Sequence, residues 1–464
     1  MKLGMVSLGC PKNLVDSEVM LGIIAKYDIE ITNDPAEAEI IIVNTCAFIE
    51  TAKQESIDNI LSMARYKESG PLRKLIVTGC LAQRYAEDLY REMPEVDALV
   101  GTNVFKDIDG VLSRVLAGQR VLHLRENDWA DGPVEPLPVR EGTAEQEVRP
   151  GGVAPDPRRL TGTPYSAYLK IAEGCNNRCS YCAIPLIRGP YVSKPYEQVL
   201  AEAKDLAARG VKELIVVAQD TTVYGADLYG RLRLAELLRD LNDIDGIHWI
   251  RVLYLYPNTF TDELIEAFAT LPKLCHYVDI PLQHASERLL KAMNRHDSMA
   301  HTRELLARLR KRIPDIVIRT TFIVGFPGET EEDFDILKRF VEEQRFENAG
   351  VFPYSREENT VAASLPDQIP EEVKEDRYNE LMAIQAGISE EIHKDLEGKE
   401  LEVLVEGYNE DGEDLAEARS YREAPDIDGM IYVENAPGLH PGDFIRVRVD
   451  QGFDYDVVAL RVDK

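Results

Sequence analysis

Cys175-Asn-Asn-Arg-Cys179-Ser-Tyr-Cys182 sets three thiols within eight residues. That spacing fits an iron-sulfur cubane. Such clusters are held by thiolates, and three local ligands leave one iron free to bind something from outside the protein. The competing reading is a zinc knuckle, but structural zinc takes four protein ligands, and no His or Cys follows Cys182 until His248. The triplet comes directly after Tyr168-Leu-Lys-Ile-Ala172, the first of several short apolar runs at 166–172, 213–218, 250–254, 277–280 and 317–324. Helix-forming stretches such as 196–209 and 232–241 separate them. Repeated βα units of this kind predict a full or partial (β/α) barrel of the TIM type, whose active-site loops leave the carboxyl ends of the strands. The cysteine loop is placed at that edge.

The first 124 residues carry the same alternation, with strands expected at 2–8, 40–44, 75–78 and 98–100. This predicts an open parallel α/β sheet. Three of the four strands run into a cysteine, as Ser-Leu-Gly-Cys10, Val-Asn-Thr-Cys46 and Val-Thr-Gly-Cys80. Carboxyl ends of parallel strands share one edge, where ligand sites form, so Cys10, Cys46 and Cys80 are expected to converge on a second cluster. The plainer reading is three buried core cysteines; those would sit within the strands rather than just past their ends. The apolar stretch before Cys10 lacks the full hydrophobic region of a lipoprotein signal and reads as a first strand. No apolar run approaches the length of a membrane span. Seven cysteines without a secretion signal predict metal ligands or free thiols in a reducing cytoplasm rather than disulfides. Cys275 is left over and reads as a structural thiol.

Residues 125–164 lose periodicity and gather prolines among glycines and charges, the pattern of a linker. An amphipathic helix is expected over 371–396, with Leu381, Ile384, Ile388 and Leu396 on one face. Beyond 397 come short alternating runs at 401–405, 430–434 and 444–450, with turn residues Asn-Glu-Asp-Gly412 and Pro-Gly442 between them. They predict a small β-barrel or sandwich.

Cys-x3-Cys-x2-Cys with Tyr181 before its last thiol resembles the radical S-adenosylmethionine superfamily. The resemblance implies a 4Fe-4S cluster whose open iron is chelated by S-adenosylmethionine, which is cleaved to a 5′-deoxyadenosyl radical. It makes Tyr181 and Ala183 candidates to lie beside the cofactor. Arg319-Thr-Thr-Phe-Ile-Val-Gly325-Phe326-Pro-Gly328 resembles the superfamily's adenosine-contacting turn, with Thr330 and Asp333 forming a capping box for the next helix. Read plainly, it is a strand-to-helix turn. Gln219, Asp220, Gln283 and His284 lie at matching strand ends and are candidates for the methionine and ribose groups, although polar strand ends are often only solvated loops.

Cys10, Cys46 and Cys80 ahead of such a domain, with a small β-domain behind, resemble the methylthiotransferase family. The resemblance covers nearly all of the chain outside the linker and implies an auxiliary 4Fe-4S cluster and a TRAM-like C-terminal barrel. One branch of that family acts on tRNA adenosines, another on an aspartate of ribosomal protein S-twelve. Gln219-Asp-Thr-Thr-Val-Tyr224-Gly-Ala-Asp227 and Tyr354-Ser-Arg-Glu-Glu-Asn-Thr360 resemble the ribosomal branch. Charge points the same way: residues 397–464 hold 18 Asp/Glu and seven Lys/Arg, within a chain of net charge -29. A barrel that binds RNA should present a basic face, whereas an acidic one suits a basic ribosomal protein. The implied partners are S-twelve, free or in the small subunit, and an electron donor such as flavodoxin or ferredoxin, with neither membrane nor direct RNA binding expected. The tRNA activity and a non-catalytic iron-sulfur carrier remain as alternatives.

Overall fold

A computed structural model of the chain describes residues 1–124, 137–140, 153–408 and 415–462. Residues 125–136 and 141–152 of the expected linker, and the Asn-Glu-Asp-Gly412 turn, lie outside the described residues. The chain packs as two compact units. One comprises Met1–Gly162, Tyr168–Asn176 and Cys182–Glu202; the other comprises Thr163–Ala167, Asn177–Tyr181 and Ala203–Lys464.

In the first unit β1 (Lys2–Ser7), β2 (Glu30–Thr32), β3 (Ile40–Thr45), β4 (Lys74–Gly79), β5 (Ala98–Val100) and β6 (Val121–His123) form a parallel sheet in the order β2-β1-β3-β4-β5-β6. Every residue of β3 is buried, as expected of a central parallel strand covered on both faces. Ile41, Val43, Leu75 and Val77 meet Ile60 and Leu89 of the covering helices in one core. The edge strands β2 and β6, three residues each, were not anticipated, because three residues are too few to show a period. The described end of the proline-rich stretch is pinned to this unit. Arg158 is buried between Glu18, at 2.6 Å, and Glu202, at 3.0 Å. Gly22 permits the approach: a Cβ there would stand 2.4 Å from the Pro157 carbonyl oxygen.

A second six-stranded sheet is built from β7 (Ser166–Lys170), then, beyond the short antiparallel pair β8 (Ala172–Glu173) and β9 (Val192–Ser193), from β10 (Glu213–Val217), β11 (Trp249–Val252), β12 (Leu274–Asp279), β13 (Val317–Val324) and β14 (Asn348–Pro353). Its order is β14-β13-β12-β11-β10-β7, so the barrel is partial. β14 was missed because Asn-Ala-Gly-Val-Phe-Pro carries breaker residues at both ends.

Five more strands, β15 (Glu400–Tyr408), β16 (Leu415–Arg419), β17 (Ile431–Glu434), β18 (Phe444–Gly452) and β19 (Val457–Arg461), close a barrel in the order β15-β16-β17-β19-β18. Alternate residues Val403, Val405, Ile431, Val433, Val447 and Val449 fill it. Within the second unit, successive strands of the open sheet reach the barrel's 419–428 segment. Arg419 Nη2 lies 2.8 Å from Glu213 Oε2, Arg251 Nη1 donates to the Tyr421 carbonyl at 2.8 Å, and the Tyr277 hydroxyl donates to Asp428 at 2.6 Å. Arg319 Nε stands 3.3 Å from Asp428. Burial opposes ionisation of Glu213, but the charges of Arg419 and Arg251 outweigh it and hold the carboxyl at about 2.

Candidate metal centres and cofactor edge

Cys46 and Cys80 stand one residue past β3 and β4, and Cys10 stands three past β1, where it precedes the helix Pro11–Ile24. Local sequence explains the placement. Gly9 and Gly79 have φ of +86° and +95°, which disfavours any side chain, and a Cβ at Gly9 would lie 2.7 Å from Cys46 Cβ. Asn13 Nδ2 donates to the carbonyls of Leu8, at 3.0 Å, and Thr45, at 2.9 Å, tying together the ends of β1 and β3. The backbone of Cys46 is fixed on both sides by Ser56 Oγ, which accepts from its N–H at 3.0 Å and donates to its carbonyl at 2.9 Å.

The three thiols feel one another. Burial and then the neighbouring Cys80 push Cys46 up to about 12. Burial would raise Cys10 too, but the charges of Lys12 and Arg188 prevail and lower it. An all-sulfur donor set of three, held by glycines that bring the backbones together, fits an iron-sulfur cluster. Among the described residues no three His, Cys, Asp or Glu ring a single ion; cubane thiolates bind different irons and therefore stand farther apart than the ligands of one ion.

Cys175, Cys179 and Cys182 are each partly exposed. The stretch entering their loop is held by Cys175 N–H donating to the Gly189 carbonyl at 3.2 Å, and by Tyr191 N–H donating to Asn176 Oδ1 at 3.1 Å. Gly174, at φ +76°, allows the Pro190 carbonyl to approach within 2.1 Å of where a Cβ would be. In the second unit, Asn177 Nδ2 donates to Asp220 at 2.8 Å, Ser180 N–H to the Met293 carbonyl at 2.8 Å, and Asn294 Nδ2 to the Arg178 carbonyl at 2.9 Å. Three partly exposed thiols on a loop pinned in this way also fit a cluster.

The other expected cofactor residues divide. Gln219 and Asp220 do follow β10, and the Asp220 carboxylate is hydrogen-bonded within the protein. It accepts from Thr222 N–H at 3.1 Å and Thr222 Oγ1 at 2.5 Å, besides Asn177, and burial raises its pKa. Gln283 adopts φ +72° and bridges to Phe322; a non-glycine residue held there marks strain of the kind found at ligand edges. Tyr181 packs beside Phe326, Leu289, Met293 and Tyr354. The Phe326 ring is therefore core, and only its backbone belongs to the turn. Ala183 is also core, packed with the first unit's apolar cluster, and its carbonyl accepts from Leu186 and Ile187 at the start of the helix Ile184–Arg188. Arg319 does not stand at the carboxyl edge: it is the third residue of β13, and its guanidinium is taken by Asp279, at 2.9 Å, and Asp428.

Glu329 was missed. Its buried carboxylate accepts from Gly325 N–H at 2.8 Å and Phe326 N–H at 3.2 Å, and pairs with Arg377 at 2.9 Å. His284 Nε2 lies 3.7 Å away. The one available signal was a carboxylate four residues after Gly325, within reach of the turn's own amides. The capping box of Thr330 and Asp333 is present.

The fold and the cysteine loop define a radical S-adenosylmethionine domain, and residues 169–341 match the Radical SAM superfamily. Residues 2–101 match an uncharacterized family, UPF0004, and residues 398–462 the TRAM domain. The chain is 51% identical over 460 residues to the ribosomal protein uS12 methylthiotransferase RimO of Lachnoclostridium phytofermentans, covering 99% of each chain. It is 50% identical to the protein of the same name from Geobacter sulfurreducens, covering 99% of this chain and 98% of that one. The chain belongs to the RimO family of radical S-adenosylmethionine methylthiotransferases. Among solved structures, the radical S-adenosylmethionine methyltransferase TsrM from Kitasatospora setae, with tryptophan substrate and a cofactor analogue bound, shares the fold. Its TM-score is 0.54 at 16% identity, over 75% of this chain and 72% of that one. Among the described residues no helix is long and apolar enough to cross a membrane.

Proposed function

We propose that this protein methylthiolates the β-carbon of an aspartate in ribosomal protein uS12, the protein named in its relatives. Cys175, Cys179 and Cys182 hold one 4Fe-4S cluster and Cys10, Cys46 and Cys80 a second. When bound, the first cluster with one S-adenosylmethionine would supply a 5′-deoxyadenosyl radical that takes the hydrogen from the substrate carbon, the second would supply sulfur, and a second S-adenosylmethionine would supply the methyl group. An unactivated C–H bond resists acid-base chemistry, so a radical generator is required. The observation that carries the reading is the gathering of Cys10, Cys46 and Cys80 at one sheet edge, which a radical cleaving domain alone would not need.

The chain's own work is positioning. Asn13 and Ser56 fix the auxiliary thiols, Asn177 and Ser180 fix the cysteine loop, and Glu329 holds the Gly325 turn for the adenosine. Gln219 and Gln283 bind the polar groups of the cofactor, a reading supported by their positions after β10 and β12. Excluding water and other hydrogen donors lets the substrate carbon meet sulfur first. The segments are taken as 1–124 for sulfur delivery, 165–396 for cofactor cleavage and 397–464 for gripping the substrate, joined by 125–164. A small reductant such as flavodoxin or ferredoxin supplies the electron, and the setting is cytoplasmic.

The test is anaerobic reaction with uS12, read by mass analysis of its target aspartate. Cys179→Ala should abolish cleavage of S-adenosylmethionine. Cys46→Ala should cleave it but transfer no sulfur. A Cys46→Ala protein that still methylthiolates uS12 would remove the sulfur-delivery role, and modification of tRNA adenosine instead of uS12 would replace the substrate.

A further inference from the structure

Arg188 ends the helix Ile184–Arg188, six residues past Cys182, and is 2% exposed. Its Nη1 lies 2.9 Å from both oxygens of Glu173 and 3.1 Å from Asp16 Oδ2. Lys170 pairs with the same two carboxylates. Two cations and two carboxylates balance one another, so as an ion network the set is complete without any further partner. Yet Arg188 Nη2 reaches out of it. It donates to Asn13 Oδ1, the residue that ties β1 to β3, and stands 3.6 Å from Cys80 Sγ.

We propose that Arg188 is a positioning residue for the centre at Cys10, Cys46 and Cys80, donating an N–H to the Cys80 sulfur and setting how readily that centre accepts an electron. The inference rests on reading those cysteines as cluster ligands. A buried thiolate needs a counter-charge or donor, and Asn13 Oδ1, 3.8 Å from Cys80 Sγ, supplies neither. Hydrogen bonds to cluster sulfurs and local charge set the potential: a donor stabilises the more negative, reduced state and raises it. Arg188 also binds Glu173, two residues before Cys175, so it joins the strand end that leads into one cysteine set to a ligand of the other. A purely structural ion network would not direct one arm of the guanidinium at a sulfur.

The full-length chain carrying Cys175→Ala, Cys179→Ala and Cys182→Ala, reconstituted anaerobically, isolates the auxiliary centre. Its midpoint is read by electron paramagnetic resonance during a mediated titration. Arg188→Gln should lower the midpoint enough to shift the oxidised-to-reduced ratio tenfold, about 59 mV for a one-electron couple. Glu173→Gln, which removes an opposing negative charge, should raise it. A structural disturbance would not give shifts of opposite sign. Should Arg188→Gln hold no iron, Arg188→Lys must restore it with an intermediate midpoint. An unchanged midpoint with iron retained, or both variants shifting the same way, overturns the role of Arg188. A parent protein without iron overturns the cluster reading itself, and the inference with it.

Discussion

Glu213, the first residue of β10, receives Arg419 of the C-terminal barrel at 2.8 Å, and Arg251 Nε at 3.1 Å reaches the other oxygen of the same buried carboxylate. One acid is thus shared by two guanidiniums where the open sheet meets the barrel, and Glu406 supplies the second negative charge.

Glu213→Gln leaves Arg251 buried without a carboxylate, while Arg419 keeps Glu406 at 2.7 Å. Removing one partner of a buried ion pair costs about 3–5 kcal/mol. Urea unfolding should show that loss, with proteolysis cutting first between sheet and barrel.

Acid should act through the same carboxyl. Its folded value of about 2 lies below the ordinary 4.5, so the unfolded chain takes up the proton first. The stabilisation, on the order of 3 kcal/mol, is fully present above pH 4.5 and disappears as pH falls through 2. Thermal unfolding between pH 5 and 2 should show a slope that the Glu213→Gln protein lacks.

Glu329→Gln deprives the Gly325 and Phe326 amides of a charged acceptor and leaves Arg377 with Glu331 alone. Affinity for S-adenosylmethionine should fall about tenfold, the equivalent of one charge-assisted hydrogen bond at about 1.5 kcal/mol, as read by equilibrium dialysis. Iron content should not change, because the Glu329 carboxylate is engaged by the Gly325 and Phe326 amides and by Arg377.

Gly79→Ala would put a Cβ 2.3 Å from Asn44 Oδ1 at φ +95°. The strain should cost about 1–3 kcal/mol. It moves Cys80 directly, so iron per chain should drop by half while cleavage of S-adenosylmethionine continues.

The cysteine patterns were legible because short spacings and strand ends are local. The capping box of Thr330 and Asp333 was legible for the same reason. The surroundings of Arg319 and Ala183 were not legible because they are decided elsewhere in the chain, Arg319 by Asp428 in the barrel and Ala183 by the apolar cluster around Val77 and Leu99. Asp220 was found at its strand end, but its use depends on Asn177, 43 residues earlier, a pairing no periodicity reveals. Glu329 was hidden by its type: a glutamate just before a helix reads as a solvated first turn, and only burial shows it turned back onto its own loop.

Glu213, Arg251, Tyr277 and Arg319, from four successive strands, all fasten to the 419–428 segment, so turning the barrel against the open sheet would break buried polar contacts on every one of them. On the proposed reading, a substrate gripped by the barrel would meet the sheet's carboxyl edge at a reach those contacts set, and selection among target side chains would turn on distance along the substrate as much as on chemistry.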